Sequence, residues 1–299
     1  MKLHQPVLLK QTIDLLGLES GEVVVDLTAG YGGHSEAMLK VIGQNGRLFV
    51  NDQDQNAVDY LRDKYKSSKN VTITHTNFAQ FDWDRVGNAD AILLDLGVSS
   101  PQLDEAERGF SFNKESRLDM RMDPSRKIDA EKIVNEYSQE QLADIIYRYG
   151  EEHRARQIAA AIVSARTEQP IATTTELAEI IAQCYPQRPY RIHPATQTFQ
   201  AIRIEVNEEL SVLEQTLPLA ATALRTNGRL AVISFHSLED RIVKRFFNSL
   251  VEVKKDPVTG QDLESPNYRL VTKKPVVADP NDTNPRSRSA KLRVVEKIN

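Results

Sequence analysis

Between residues 22 and 95 the chain alternates short β-branched runs with helical stretches. Such alternation leaves few folds open, because strands joined through crossover helices run parallel in one sheet. The runs are EVVVDL at 22–27, RLFVN at 47–51, VTITH at 71–75 and ADAILLD at 89–95. Each stays almost wholly apolar until it meets polar or glycine residues, the pattern of strands covered on both faces. A fifth run, RLAVISF at 229–235, follows only after a long interruption. The interruption, 104–203, has few strand-like runs but two capping-box spacings, Ser138 with Gln141 and Thr173 with Glu176, and reads as a helical insertion. From Pro194 onward Phe199, Ile202, Val206, Leu210, Leu213 and Leu217 recur every three or four residues, predicting one long helix that Asn227-Gly228 terminates. Two short runs, 268–272 and 291–295, are expected to pair as an antiparallel end of the sheet. The expected fold class is α/β: a Rossmann-like doubly wound sheet built from 1–103 and 204–299, with 104–203 inserted as a mainly helical domain.

At 299 residues the chain can bury a core without covalent staples. Cys184 is the only cysteine, which excludes a disulfide scaffold and multi-thiolate zinc or iron–sulfur sites. His4, His34, His75, His153, His193 and His236 lack ligand spacing, so no metal is predicted and any cofactor is expected to be organic. No apolar run approaches the roughly 18 residues of a membrane span, and the polar start of the chain is unlike a signal peptide. A cytoplasmic protein with no membrane partner is expected; oligomeric state is not readable. The formal net charge of −4 conceals an asymmetry, since residues 1–240 carry 25 basic and 35 acidic side chains and residues 241–299 carry 13 and 7. The basic end is a candidate anion-binding face, against the plainer reading of a solvated surface.

Ligands of open α/β sheets bind beyond the carboxyl ends of the strands, so the residues after each run are the informative ones. The first run leads into Asp26, Thr28, Gly30, Gly32, Gly33, His34 and Ser35, a glycine-rich turn where backbone can approach a ligand. Asp52 closes the second, where nucleotide-binding sheets grip a ribose. Phe78 follows the third, where a ring can lie beside an adenine; Asp95, Ser99, Ser100 and Gln102 end and follow the fourth, and His236 the fifth. Counted from Gly30 and Gly32, Ser35 holds the third-glycine position of a dinucleotide fingerprint, and Asp26 precedes the glycines. Both features favour an adenosine ligand whose charged part is an amino acid, S-adenosylmethionine, over one carrying a pyrophosphate.

Long blocks extend this pattern over almost the whole chain: HQPVLL at 4–9, DLTAGYGGHS at 26–35, NDQDQNA at 51–57, LLDLGVSSPQLD at 93–104, RGFSF at 108–112, LDMRMD at 118–123, GEEHRARQIA at 150–159, HPATQTFQAIRIEVNEEL at 193–210, GRLAVISFHSLEDRIVKRFF at 228–247 and NPRSRSAKLR at 284–293. In these blocks the chain closely resembles the ribosomal RNA small-subunit methyltransferase H family, also called MraW or RsmH. The resemblance implies a class I S-adenosylmethionine-dependent methyltransferase acting on N4 of a cytidine in the decoding region of 16S ribosomal RNA, presented as free RNA or as the small subunit. It also implies donor contacts at Gly32, Gly33, His34, Asp52, Phe78, Asp95 and Gln102, and substrate recognition by the insertion. Gln197 and Arg117 stand where the family pattern has arginine and proline.

Cytosine N4 is a poor nucleophile because its lone pair is delocalised, so positioning and acceptors for its protons carry the chemistry. Asp95 and His236 are the catalytic candidates; the alternative for His236 is a cap on the following helix, with Glu239 and Asp240 at its positive end. Arg117, Arg121, Arg241, Lys244, Arg286, Arg288, Lys291 and Arg293 are the RNA-binding candidates, and a flipped cytidine is expected. Two other classes compete: a noncatalytic RNA-binding assembly factor and a nicotinamide-dependent oxidoreductase.

Overall fold

A computed structural model describes residues 6–98, 108–253, 265–279, 282 and 284–299. The chain divides into two compact units, Met1–Gly97 with Leu210–Asn299, and Val98–Glu209.

The first unit contains strands β1 (Val23–Asp26), β2 (Arg47–Asp52), β3 (Val71–His75), β4 (Ala89–Asp95), β5 (Leu224–Ser234), β6 (Tyr268–Leu270) and β7 (Lys291–Lys297). They form one sheet in the order β3-β2-β1-β4-β5-β7-β6. Strands β1 to β5 are parallel, and β7 runs antiparallel to both β5 and β6, the antiparallel end expected from the sequence. Helices α1 (Leu9–Leu16), α2 (Gly33–Ile42) and α3 (Gln55–Lys64) precede the second unit's helices, and α9 (Glu209–Thr222) and α10 (Ser237–Leu250) follow them. The apolar runs are continuous because both sheet faces are covered. Val24, Leu48, Ala91 and Leu93 pack with Met38, Ile42 and Leu61 on one side. Val25, Phe49, Ile92 and Leu94 pack with Leu213, Leu217, Val243 and Phe247 on the other.

Two expectations are corrected here. Asn227-Gly228 does not end a helix: α9 stops at Thr222, and the pair lies inside β5, where Asn227 adopts φ 67°. There the register against β4 shifts between Ala89 and Ala91, and a Cβ on Gly228 would meet the Ala89 carbonyl oxygen at 2.8 Å. The dipeptide makes a bulge rather than a cap. Nor is there one long helix from Pro194. Its apolar stripe spans two helices, α8 (Ala195–Asn207) and α9, separated by Glu208 at φ 54°.

The second unit is helical, with α4 (Ala130–Glu136), α5 (Gln139–Gly150), α6 (Ala155–Glu168), α7 (Thr174–Gln183) and α8 around their own core of Leu118, Ile133, Ile146, Ile158, Leu177 and Ile202. Both predicted capping boxes form, at Ser138 with Gln141 and at Thr173 with Glu176. The α8 break has a tertiary cause. Buried Asn207 accepts from the Met122 amide at 2.8 Å and donates to the Met120 and Arg203 carbonyls at 2.8 and 2.9 Å. Asn207→Ala leaves a buried amide and carbonyls without partners and should cost about 1–3 kcal/mol, read as a lower urea midpoint at unchanged slope.

Candidate active site

Strand order reverses between β1 and β4, the switch point at which doubly wound sheets bind ligands. Asp26 and Asp95 close those two strands. The Asp95 amide donates to Thr28 Oγ1 at 2.6 Å, and the Leu27 amide to the Leu93 carbonyl at 3.0 Å, so the glycine turn is anchored to β4 as it leaves β1. Asp26 is buried and accepts from Ser35 Oγ at 2.5 Å; Ser35 thus fastens the first turn of α2 to β1. Burial pushes the Asp26 carboxyl up to about 6, although the Ser35 bond and the nearby His34 oppose the rise.

The turn itself is shaped by glycine. Gly30 and Gly32 have φ 52° and 76°, in the left-handed region that side chains disfavour. A Cβ on Gly32 would lie 2.9 Å from Leu61 Cδ2, and one on Gly33 2.3 Å from Pro6 Cγ, whereas the space beside Gly30 is open. The predicted glycines Gly32 and Gly33 therefore permit close packing, and Gly30 presents the free face. Lys64 Nζ fixes the bend from outside, donating to the Tyr31 and Gly32 carbonyls at 3.3 and 3.2 Å and pairing with Glu36 at 3.1 Å.

Asp52, at the end of β2, accepts from the Gly30 amide at 2.7 Å through Oδ2 and from the Asp54 amide at 2.8 Å through Oδ1. Burial raises its carboxyl to about 6 against those two bonds, and the charges of Asp54 and Asp26 add to the rise. Beside it Asn51, buried, donates to the Leu27 and Thr76 carbonyls and accepts from the Thr74 and Thr76 hydroxyls. Sequence reasoning assigned Asn51 no role. Its signal was a polar side chain at the closing edge of an apolar run.

His34 is the larger surprise. Its ring is buried, with Nε2 3.1 Å from the Val7 carbonyl and Nδ1 3.4 Å from Asp95 Oδ2. Each nitrogen faces an oxygen that only accepts, an arrangement that favours a proton on both. Burial alone would depress its pKa, but the Asp95 bond and the charges of Asp95 and Asp26 outweigh it and raise the value above the ordinary 6.5. The other carboxylate oxygen, Asp95 Oδ1, is buried and has no hydrogen-bond partner among the described residues. A buried carboxylate oxygen left open in this way is suited to a ligand N–H. Gly32, Gly33, His34, Asp52 and Asp95 are thus brought together around the end of β1. Phe78 opens a short 3₁₀ turn, Phe78–Gln80, after β3 on the same edge of the sheet. Gln102, with Ser99 and Ser100, lies outside the described residues.

His236 is the N-cap of α10: Nδ1 accepts from the Glu239 amide at 3.4 Å while Glu239 Oε2 accepts from the Phe235 and His236 amides. Its geometry is that of the capping alternative, with one ring nitrogen already engaged. Among the RNA-binding candidates, Arg293 and Arg121 are engaged within the protein. Arg293 is only 9% exposed and pairs with Asp240 at 2.8 Å, and Arg121 binds Asp119 through two nitrogens and the Pro124 and Arg126 carbonyls. Lys291 also pairs with Asp240, at 3.2 Å. Arg117 is exposed but engaged by Asp129 and Glu131. Arg241, Lys244 and Arg288 are exposed; the side chain of Arg286 is outside the described set.

A sheet of this order with an antiparallel strand beyond β5, acidic ends on β1, β2 and β4, and a glycine turn at the switch point define an S-adenosylmethionine-dependent methyltransferase. The MraW methylase family model matches residues 1–298, and the chain belongs to that family. It is 43% identical over 311 residues to a Coxiella burnetii protein named ribosomal RNA small subunit methyltransferase H, covering 100% of both chains. Proteins of the same name from Clostridium botulinum and Caldicellulosiruptor bescii are 45% and 46% identical, each alignment covering 99% of both chains. Family membership sets aside the nicotinamide reading. Among the described residues no helix is long and apolar enough to cross a membrane.

Proposed function

We propose that the chain methylates small-subunit ribosomal RNA in the cytoplasm, moving the methyl group of S-adenosylmethionine to N4 of a cytidine in the decoding region of 16S RNA, with the helical unit recognising the substrate. The observation that carries the donor half is the buried Asp95 Oδ1 at the switch point, beside His34 and without a hydrogen-bond partner among the described residues. The names of the relatives at 43–46% identity support the substrate half.

In this reading the Asp95 carboxylate accepts an N–H from the donor, and Asp52, oriented by the Gly30 and Asp54 amides, receives the ribose hydroxyls. With the donor bound, the N4 lone pair would attack the methyl carbon in line with the sulfur, the sulfur would keep the C–S bonding pair, and the proton then shed by N4 would pass to solvent. Because N4 is a poor nucleophile, alignment and acceptors for its protons supply the acceleration. Transfer of labelled methyl from donor to small-subunit RNA, mapped to a single cytidine, tests the proposal. Label at carbon 5 or on another base would overturn the N4 assignment, and binding of RNA without transfer would favour the noncatalytic assembly factor.

Asp52→Ala should weaken donor affinity by about 1.5–3 kcal/mol through loss of charged hydrogen bonds, measured by calorimetric titration with S-adenosylhomocysteine. Unchanged affinity would remove the ribose role.

A further inference from the structure

From residue 180 to residue 204 the chain has no carboxylate, yet this stretch carries Arg188, Arg191 and Arg203. Arg203 is consumed by a two-pronged pair with Glu209 at 2.8 and 2.9 Å. Among the described residues no ion pair engages Arg188 or Arg191, and both are exposed. They sit on the connection 184–194 between α7 and α8, wholly within the helical unit.

This connection is stiff. Pro186, Pro189 and Pro194 each fix a backbone dihedral, and the Tyr190 hydroxyl donates to the Pro186 carbonyl at 3.0 Å. An alternating ladder holds its rings. The Arg154 guanidinium lies 5.2 Å from the Tyr185 ring centre, Tyr185 meets Tyr190 edge-on at 5.8 Å, and Arg188 lies 5.2 Å from the Tyr190 ring centre. Ile192, beside Arg191, is 64% exposed. The connection then runs into the N-terminus of α8, whose first turn has no acidic residue and whose Ala195 amide is capped by His193 Nδ1 at 3.1 Å. The ladder accounts for Arg154, Tyr185 and Tyr190 as packing. It does not account for two unneutralised arginines flanking an exposed apolar side chain.

We propose that the 184–194 connection is a docking surface for single-stranded RNA, Arg191 and the opening turn of α8 meeting phosphates while Arg188, over Tyr190, and Ile192 receive unstacked bases. The chemistry selects this partner. Cations without counter-charges suit a polyanion, planar guanidinium and exposed apolar surface suit bases freed from a duplex, and one isoleucine is too small a patch for protein docking. Pre-ordering by three prolines reduces the entropy lost on binding. The proposal rests on the RNA half of the reading above and extends it to residues outside the basic end of the chain.

The test is fluorescence anisotropy of the full chain with a single-stranded small-subunit rRNA oligonucleotide across a salt series, with S-adenosylhomocysteine affinity measured on the same samples. R188A/R191A should bind RNA about tenfold more weakly at low salt. Its slope of log affinity against log salt should be shallower by about 0.7, the one phosphate contact of Arg191 on a single strand, with donor affinity unchanged. R188K/R191K should keep the wild-type slope while losing affinity, because the charge remains and the planar face does not. Equal RNA affinity and slope in wild type and R188A/R191A would overturn the proposal and leave the RNA reading intact. So would loss of binding to the assembled small subunit with unchanged binding to naked RNA, which would mark a ribosomal protein as the contact. Absence of RNA binding by the wild type would overturn both readings together.

Discussion

Asp95→Asn is expected to remove most donor binding, raising the dissociation constant for S-adenosylhomocysteine about a hundredfold, or about 3 kcal/mol. Two losses combine. The amide cannot offer the ligand a charged acceptor, which alone is worth about 1.5–3 kcal/mol. It also deprives the buried His34 ring of the carboxylate 3.4 Å away that favours its protonated form, and breaking one side of a buried pair is strongly unfavourable. The second loss has its own signature: ring ¹⁵N shifts of His34 should show its titration moved to lower pH in Asp95→Asn than in the wild type. Wild-type donor affinity in the variant would show that Oδ1 does not face the donor.

Donor affinity should fall about tenfold as the pH drops from 7 to 5, because the Asp52 carboxyl that receives the ribose takes up a proton near 6. The effect on folding has the opposite sign. Asp26 and Asp52 both hold their protons more tightly folded than unfolded, with values near 6 against 3.8. Their contribution to stability is therefore least favourable above pH 6, grows as pH falls through 6, and is complete below about 3.8. His34, also raised, contributes stability that is complete below 6.5 and is lost as the pH climbs through its folded value. Mild acid thus relieves the cluster while disarming it. Calorimetric titrations at several pH values, paired with carboxyl ¹³C titrations of Asp26 and Asp52, check both halves. A flat affinity profile with midpoints near 4 would contradict the account.

Much of the sheet could be read from sequence because strands buried on both faces leave an unbroken apolar record, and the 71–75 and 89–95 runs coincide with β3 and β4. Capping boxes are equally local, and both formed. The failures share one cause, partners distant in sequence. The stripe from Phe199 to Leu217 continues in phase through the break after Asn207, whose amide partner Met122 lies 85 positions away. At the site, Asp26, Asp52 and Asp95 announced themselves by standing at strand ends. The buried His34 ring was hidden, because its partners Val7 and Asp95 come from separate elements. Arg288 and Arg293 look alike as letters, yet Arg293 is turned inward by Asp240, a distinction that charge counting cannot make.

The position of β7 bears on how the chain is made. Though synthesised after every other strand, it occupies an interior place between β5 and β6, with Leu292, Val294 and Val295 fully buried. Until those residues leave the ribosome, β5 exposes a row of unpaired amides and carbonyls to whatever strand arrives first. The helical unit is translated earlier and has its own core. The sheet is therefore sealed only once β7 has been made, and a stop codon shortly before Lys291 would release a chain with its central sheet open along one side.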